Sequence, residues 1–191
     1  MKTRTDLINF FIEKFNYKTY LEIGIAKSIN FEAVICESKD SVDPAVSTRY
    51  MPAKYIMTSD EFFTTIDKSQ KWDIIFIDGY HEKSQVKRDI LNALNHLNDN
   101  GTIVCHDVNP KEEWLLASNA CWNAWEAFAE LRTELADIVM HTVEFDHSGF
   151  IRKGTQELWD EPINNSWYYL NANRKELMKE ITVEQLNYMF L

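Results

Sequence analysis

The sequence predicts an α/β fold, a mostly parallel sheet with helices on both faces. Three observations predict it. Short apolar runs alternate with longer amphipathic ones along the chain, the pattern of consecutive βα units. One run, Trp72-Asp73-Ile74-Ile75-Phe76-Ile77-Asp78, is apolar nearly throughout, as a strand buried on both faces must be. Four of the predicted strands end in polar or acidic residues, and the carboxyl ends of strands are where an open α/β sheet gathers its ligands. With 191 residues and 45% hydrophobic content, residues 1–191 form a single domain whose core needs no disulfide staple.

Leu7, Ile8, Phe11, Ile12 and Phe15 recur at helical spacing over 5–16, ahead of the strand Tyr20-Leu21-Glu22-Ile23-Gly24. A weakly patterned helix over 28–36 leads to a short strand ending in Val42-Asp43-Pro44, and Lys54 to Met57 reads as a third strand. Thr58-Ser59-Asp60-Glu61 then has the capping-box form of a helix start. After the strand at 72–78, a helix over 83–98 carries Val86, Ile90, Leu91, Leu94 and Leu97 on one side, and Asn100-Gly101 turns into the strand Thr102-Ile103-Val104-Cys105. A long helical stretch over 112–135 puts Trp114, Trp122, Trp125 and Phe128 near one face, read mainly as a core-facing stripe. Extended runs at 138–146 and 149–153 flank a hairpin-like Asp146-His147-Ser148-Gly149. Two amphipathic pieces, 165–180 and 183–190, complete the chain, the second opened by the capping box Thr182-x-x-Gln185. Trp167, Tyr168, Leu170, Leu177 and Met178 suit a helix laid either on the domain or on a second copy, so a homodimer stays open.

Composition narrows the function. Five glycines stand where an average of about 7% would place roughly 13, which argues against a glycine-rich phosphate-cradling loop. The net charge of −10 disfavours nucleic acid. Much of that excess lies between Glu112 and Glu161, where eleven acids face three bases, so a neutral or cationic small molecule is favoured there over a polyanion. Cys36, Cys105 and Cys121 form no spaced cluster, the N-terminus meets charge too early for a signal peptide, and no apolar stretch approaches 18 residues. The expectation is a cytoplasmic protein without a membrane span.

Chemistry concentrates at the strand ends. Asp43, about 20 residues beyond Gly24, stands where a nucleotide fold keeps its ribose-binding acid; a turn acid before Pro44 is the alternative. Gly24 permits a sharp turn and a close approach of cofactor to backbone. With one glycine where a dinucleotide fingerprint has three, a pyrophosphate cofactor is disfavoured. Asp78 and Asp107 close adjacent strands, with His81 and His106 beside them, a set that suits a general base or a hard divalent ion. His141 and His147 read as solvated residues and Arg152-Lys153 as surface charge.

Together these segments resemble the class I S-adenosylmethionine-dependent methyltransferases, and most of all a small bacterial branch whose strand ends read close to FIDG-x-H and GG-x-IV-x-HD. Here those are Phe76-Ile77-Asp78-Gly79-Tyr80-His81 and Gly101-Thr102-Ile103-Val104-Cys105-His106-Asp107. Leu21-Glu22-Ile23-Gly24, Val42-Asp43-Pro44 and Met57-Thr58-Ser59-Asp60-Glu61-Phe62-Phe63 also match, so the resemblance covers about residues 19–154 and leaves 155–191 as a helical tail. It implies a Rossmann-like sheet of seven strands with the last antiparallel, and S-adenosyl-L-methionine as cofactor. Glu22 and Gly24 would contact its methionine end, Asp43 its ribose, and Ser59 and Asp60 its adenine. Asp78 would hold the amino group or lie near the methyl. In metal-dependent relatives, acids at the positions of Asp78 and Asp107 bind a divalent ion such as Mg²⁺, with Asn109 a further candidate ligand. The reading is methyl transfer to a hydroxyl of a small molecule or glycan, with His81 or His106 as general base. The competing readings are a metal-dependent hydrolase on Asp78, His81, His106 and Asp107, and a non-catalytic cofactor binder. The chain departs from the family at Ala26 and Ser28, where further glycines are usual, and at His106-Asp107, where an acid-acid or acid-amide pair is usual.

Overall fold

The computed structural model describes residues 1–45 and 49–191. Six strands form one sheet: β1 (Thr19–Ile23), β2 (Ser38–Val42), β3 (Trp72–Ile77), β4 (Leu97–Cys105), β5 (Ile138–Thr142) and β6 (Gly149–Lys153). Their order is β2-β1-β3-β4-β6-β5, with β6 antiparallel to both of its neighbours and the β1–β2, β1–β3 and β3–β4 pairs parallel. The chain direction of the first four strands therefore brings Ile23, Val42, Ile77 and Cys105 to the same edge, and the residues that follow them share one crevice.

Alternation along the strands makes two apolar layers. Leu21, Ile23, Ile75, Ile77, Ile103 and Cys105 face one side, under helices α4 (Lys83–Asn95) and α5 (Ala124–Glu134). Tyr20, Ile74, Phe76 and Val104 face the other, under α1 (Arg4–Phe15), whose Leu7, Ile8 and Phe11 are fully buried. Each such side chain contributes about 1.5–3 kcal/mol, enough to anchor both layers. A Thr3–Asp6 capping box starts α1, and its C-cap Asn16 takes the left-handed conformation. Short helices α2 (Ile29–Ala33) and α3 (Ser59–Thr65) follow β1 and β2, and α3 carries the expected capping box between Thr58 and Glu61.

Three expectations change. The segment 54–57 makes only a bridge between Tyr55 and Val42, so among the described residues the sheet has six strands, one fewer than expected. Asn100-Gly101 does not precede the last parallel strand but lies within it, where the β3–β4 register shifts between Trp72 and Ile74. Gly101 is needed there, since a Cβ would sit 2.7 Å from Leu97 and 2.8 Å from the Asp73 carbonyl. The stretch 112–135 is not one helix: a 3-10 turn, Glu113–Leu116, and further turns precede α5, with Trp122 left-handed at φ 51°. Contacts from elsewhere win over helical pattern, because His81 Nδ1 lies 2.8 Å from the Ala120 carbonyl oxygen and the Lys83 N–H donates to Asn123 Oδ1. As a result Trp125 and Phe128 are core, while Trp114 is exposed and Trp122 packs against Tyr80.

The tail belongs to its own domain. Helix α6 (Trp167–Leu177) buries Leu170 and Leu177 beside α5. Residues 178–181 then pair with the end of edge strand β5 through Thr142 and Glu144, and α7 (Val183–Met189) buries Leu186 on the opposite face. Wrapping the edge strand satisfies part of its free backbone. Arg152 is no idle surface charge either: it donates to Tyr17 Oη and Thr102 Oγ1 and covers the Phe15 ring. Among the described residues no helix is long and apolar enough to cross a membrane.

Candidate active site

A cleft of about 560 Å³ opens at the carboxyl ends of β1, β2 and β3. Its lining includes Gly24, Asp43, Ser59, Asp60, Asp78 and Gln85. Gly24 has φ +86°, and a Cβ on it would meet the Asp78 carbonyl oxygen at 2.2 Å; only glycine lets the first loop cross the end of β3 so closely. The loop then holds Ala26 at φ 43° and Ser28 at φ 56°. The backbone keeps a glycine-like course although its residues are not glycine.

Asp43 organises this loop. Its Oδ2 accepts from the N–H groups of Ile25 (2.9 Å) and Ala26 (3.0 Å), and its Oδ1 from Ala45 (2.8 Å). At the far wall, the Gln85 amide donates to Ser59 Oγ (3.2 Å), Asp60 Oδ1 (3.1 Å) and the buried Asp89 (3.0 Å). Burial pushes Asp89 up to about 6. Gln85 and Asp89 carried no motif in the sequence; only its place on the first turn of α4 brings Gln85 to the cleft, with Asp89 buried behind it. Glu22 is buried on the other face of the sheet, where it accepts from Tyr20 Oη and, at 3.1 Å, from Asn30 Nδ2. Burial outweighs these hydrogen bonds and raises its carboxyl to about 7.

Beyond Asp78 lies a charged cluster. His81 Nε2 is 3.4 Å from Asp78 Oδ1 and 3.3 Å from Asp107 Oδ2. His106 Nδ1 is 3.3 Å and 3.1 Å from the same two oxygens, and its Nε2 is 3.7 Å from Asp146. Arg4, from the first turn of α1, places Nη1 3.6 Å from Asp78 and within 2.8 Å and 3.0 Å of the His106 ring nitrogens. Cys121 donates its thiol to Asp107 Oδ1. Burial alone would raise Asp78, but hydrogen bonds from His106 and His81 and the charge of Arg4 hold it far below the usual carboxylate range. Burial likewise disfavours a protonated His106, yet Asp107, Asp146 and Asp78 together raise it well above its ordinary value. His81 is raised too, first by its hydrogen bond to Asp78.

The structure therefore brings Asp78, His81, His106 and Asp107 together, and Gly24, Asp43, Ser59, Asp60 and Asp78 around one cleft. Asn109 does not join them. It is fully buried, accepts from Arg174, and donates to Glu180 Oε2 (2.6 Å) and the Val143 carbonyl (3.1 Å), so its amide is committed to the tail. His147 is not solvated; its ring lies 6.4 Å from that of His106. His141 bonds the Lys179 carbonyl and stacks on Phe150, outside the cluster. Arg4 and Asp146 are the members the sequence did not reveal, since the first precedes every strand and the second reads as a hairpin turn.

Residues 28–108 match the protein family described as "Methyltransferase domain". The fold is shared with O-methyltransferases of known structure. That from Bacillus cereus, in complex with SAH, aligns over 80% of each chain with a TM-score of 0.60 and 15% identity. Podospora anserina PaMTH1, also SAH-bound, aligns over 80% of each chain at 0.58 and 18%. The MycE methyltransferase, in complex with Mg, SAH and mycinamycin VI, aligns over 81% of this chain and 50% of its own at 0.51 and 14%. No curated protein matches the sequence. This is the class I methyltransferase fold. In that fold the cleft at β1–β3 is the crevice at the sheet's carboxyl edge, and the Asp78–Asp107 cluster stands at its open end. The resemblance read from the strand ends thus agrees with both the family match and the neighbouring folds.

Proposed function

We propose that the protein transfers the methyl group of S-adenosylmethionine to a hydroxyl of a small-molecule or sugar acceptor. One observation carries this reading: the cleft bounded by Gly24, Asp43, Ser59 and Asp60 runs into Asp78, which also belongs to the carboxylate–imidazole cluster. A binding crevice and a proton-handling group thus share one residue. The cofactor supplies a methyl on a sulfonium, the electrophile. Asp43 is held by N–H groups of both loops, which sets its carboxylate at the cleft wall to meet a ribose hydroxyl. Ser59 and Asp60 flank the adenine end, and the Gly24 backbone and the Asp78 side chain border the methionine end. Positioning of this kind supplies up to about 7–11 kcal/mol in a displacement reaction.

His81 takes the proton of the acceptor. Its Nδ1–H is held by the Ala120 carbonyl, so Nε2 is the nitrogen that gains and loses a proton, and Nε2 faces Asp78 and Asp107. His106 lies deeper among three carboxylates and fixes Asp78 and Asp107 in place; it is a positioning residue. The exposed Tyr80 and the half-buried Trp122 form an aromatic wall beside His81 that suits the face of a ring-bearing acceptor. The acidic surface suits a neutral or cationic acceptor and repels nucleic acid. Free Cys36, Cys105 and Cys121 suit a reducing cytoplasm.

A second reading of the cluster has its own support. Ligand atoms of Asp78, His81 and Asp107 lie within 4.8 Å of one another, so these three residues fit a divalent ion that would lower the pKa of the acceptor hydroxyl. An imidazole among the donors suits Mn²⁺ or Fe²⁺ better than an all-oxygen Mg²⁺ site. The hydrolase alternative needs further ligands, and His141 is tied to Lys179 instead. The test is calorimetry with S-adenosylhomocysteine, followed by labelled-methyl transfer to a panel of hydroxyl compounds with and without chelator. Absence of binding at millimolar S-adenosylhomocysteine would refute the reading. Loss of turnover on chelation, restored by Mn²⁺, would assign His81 to a metal rather than to the proton.

A further inference from the structure

The cleft has acids but no counter-charge. Asp43, Asp60 and Asp78 line it, and no Lys or Arg does so among the described residues. The methionine end of S-adenosylmethionine carries an ammonium and a carboxylate on the same carbon. An ammonium drawn to Asp78 would bring its carboxylate close to that acid. Such an anion needs a cation a few ångströms from Asp78.

Arg4 is at that place. Its Nη1 is 3.6 Å from Asp78 Oδ2, and its side chain is only 35% exposed. The first turn of α1 is held there from several sides. The Arg4 N–H donates to Asp146 Oδ2, and Thr5 Oγ1 donates to Asn30 (2.7 Å), whose amide in turn donates to Glu22. The turn thus spans the ends of β1, β3 and β4, beside the Asp78 carboxylate that borders the cleft. Nη1 makes the contacts to Asp78 and His106; among the described residues no hydrogen-bond acceptor meets Nε or Nη2. A planar guanidinium with two such groups offers a fork to a carboxylate.

We propose that Arg4 pairs with the carboxylate of the cofactor's methionine end, an inference that rests on the methyltransferase reading above. It also explains how a loop with Ala26 and Ser28 in place of glycines can hold the cofactor. Part of the grip comes from a residue outside the loop.

The test compares two ligands on the full chain by calorimetry: S-adenosylhomocysteine, which has the carboxylate, and 5′-methylthioadenosine, which has only the nucleoside and thioether. The wild type should prefer S-adenosylhomocysteine. Arg4→Gln should weaken it about 10- to 100-fold, the worth of a charge-assisted pair, and leave 5′-methylthioadenosine within about twofold. Arg4→Lys should recover part of the difference. Equal weakening of both ligands would make Arg4 a structural residue and overturn the proposal, as would an unchanged preference. Unaltered binding of 5′-methylthioadenosine shows that the variant is folded. A wild type that binds neither ligand refutes the methyltransferase reading itself, a result distinct from either failure of Arg4.

Discussion

On the β1–β2 side, the crevice is built from loops bonded to one another or to themselves: Asp43, just past β2, to Ile25 and Ala26 of the loop after β1 and to Ala45, and Thr58 to Glu61. On the β3–β4 side, the charged cluster draws on positions 4, 78, 81, 106, 107 and 146, which meet only after folding. The first side offers backbone groups with the Asp43 and Asp60 carboxylates and suits recognition of a nucleoside. The second concentrates carboxylates and imidazoles whose proton affinities are shifted by one another, and suits chemistry. Asp78 is where the two meet.

Variants can break or sharpen that division. Asp78→Asn, at the junction, should do the most, lowering turnover by about 10⁴-fold and weakening S-adenosylhomocysteine as well. The contrast is tested next by a pair. His81→Ala should lower kcat by about 10²–10³-fold with S-adenosylhomocysteine affinity unchanged, whereas Asp43→Ala should weaken that affinity about 10- to 30-fold with kcat at saturation little altered. Crossed results, with His81 acting on binding and Asp43 on kcat, would dissolve the distinction between the two sides.

Glu22, buried on the sheet face away from the cleft, gives a pH signature. Its folded pKa of about 7 lies above the unfolded 4.5, so the folded state binds the extra proton. Its contribution is fully present below about pH 4.5 and is lost as pH rises through about 7, a swing of about 3 kcal/mol. Thermal unfolding of Glu22→Gln should therefore lose stability with rising pH less steeply than the wild type between pH 5 and 8. Parallel curves for the two proteins would show that Glu22 titrates normally. The smallest effect is expected at Ala26→Gly. Left-handed alanine costs about 1–2 kcal/mol, and glycine gives back about 0.4–1 kcal/mol through the freer unfolded chain, so a gain of roughly 0.5–1 kcal/mol should appear in chemical denaturation.

The recognition side was readable because its determinants are local. Gly24 must be glycine where the chain turns against Asp78, and Thr58-x-x-Glu61 caps its helix with its own side chains. The run Ile74–Ile77 is apolar on both faces, as are Tyr20, Leu21 and Ile23 around the buried Glu22. The chemical side was half readable. Asp78, His81, His106 and Asp107 announced themselves as strand ends, but Arg4 and Asp146 have no local signal, because what gives them a role is the packing of α1 and the β5–β6 hairpin over the crevice. Asn109 shows the reverse. Its position two residues past Asp107 suggested a ligand, yet burial against Arg174, Glu180 and Val143 directs its amide into the tail.

By itself, then, the order of residues determined the alternation of strands and helices, the acids and imidazoles at the strand ends, and the glycine at the first turn, since all of these follow from side-chain periodicity and backbone sterics within a few positions. Only the tertiary structure decided that 54–57 stays outside the sheet, that the Trp-rich stretch breaks before Ala124, and that Arg4 reaches Asp78. Those outcomes depend on hydrogen bonds and buried charges between segments up to 142 residues apart, as between Arg4 and Asp146, and no local pattern encodes which distant partner will be there.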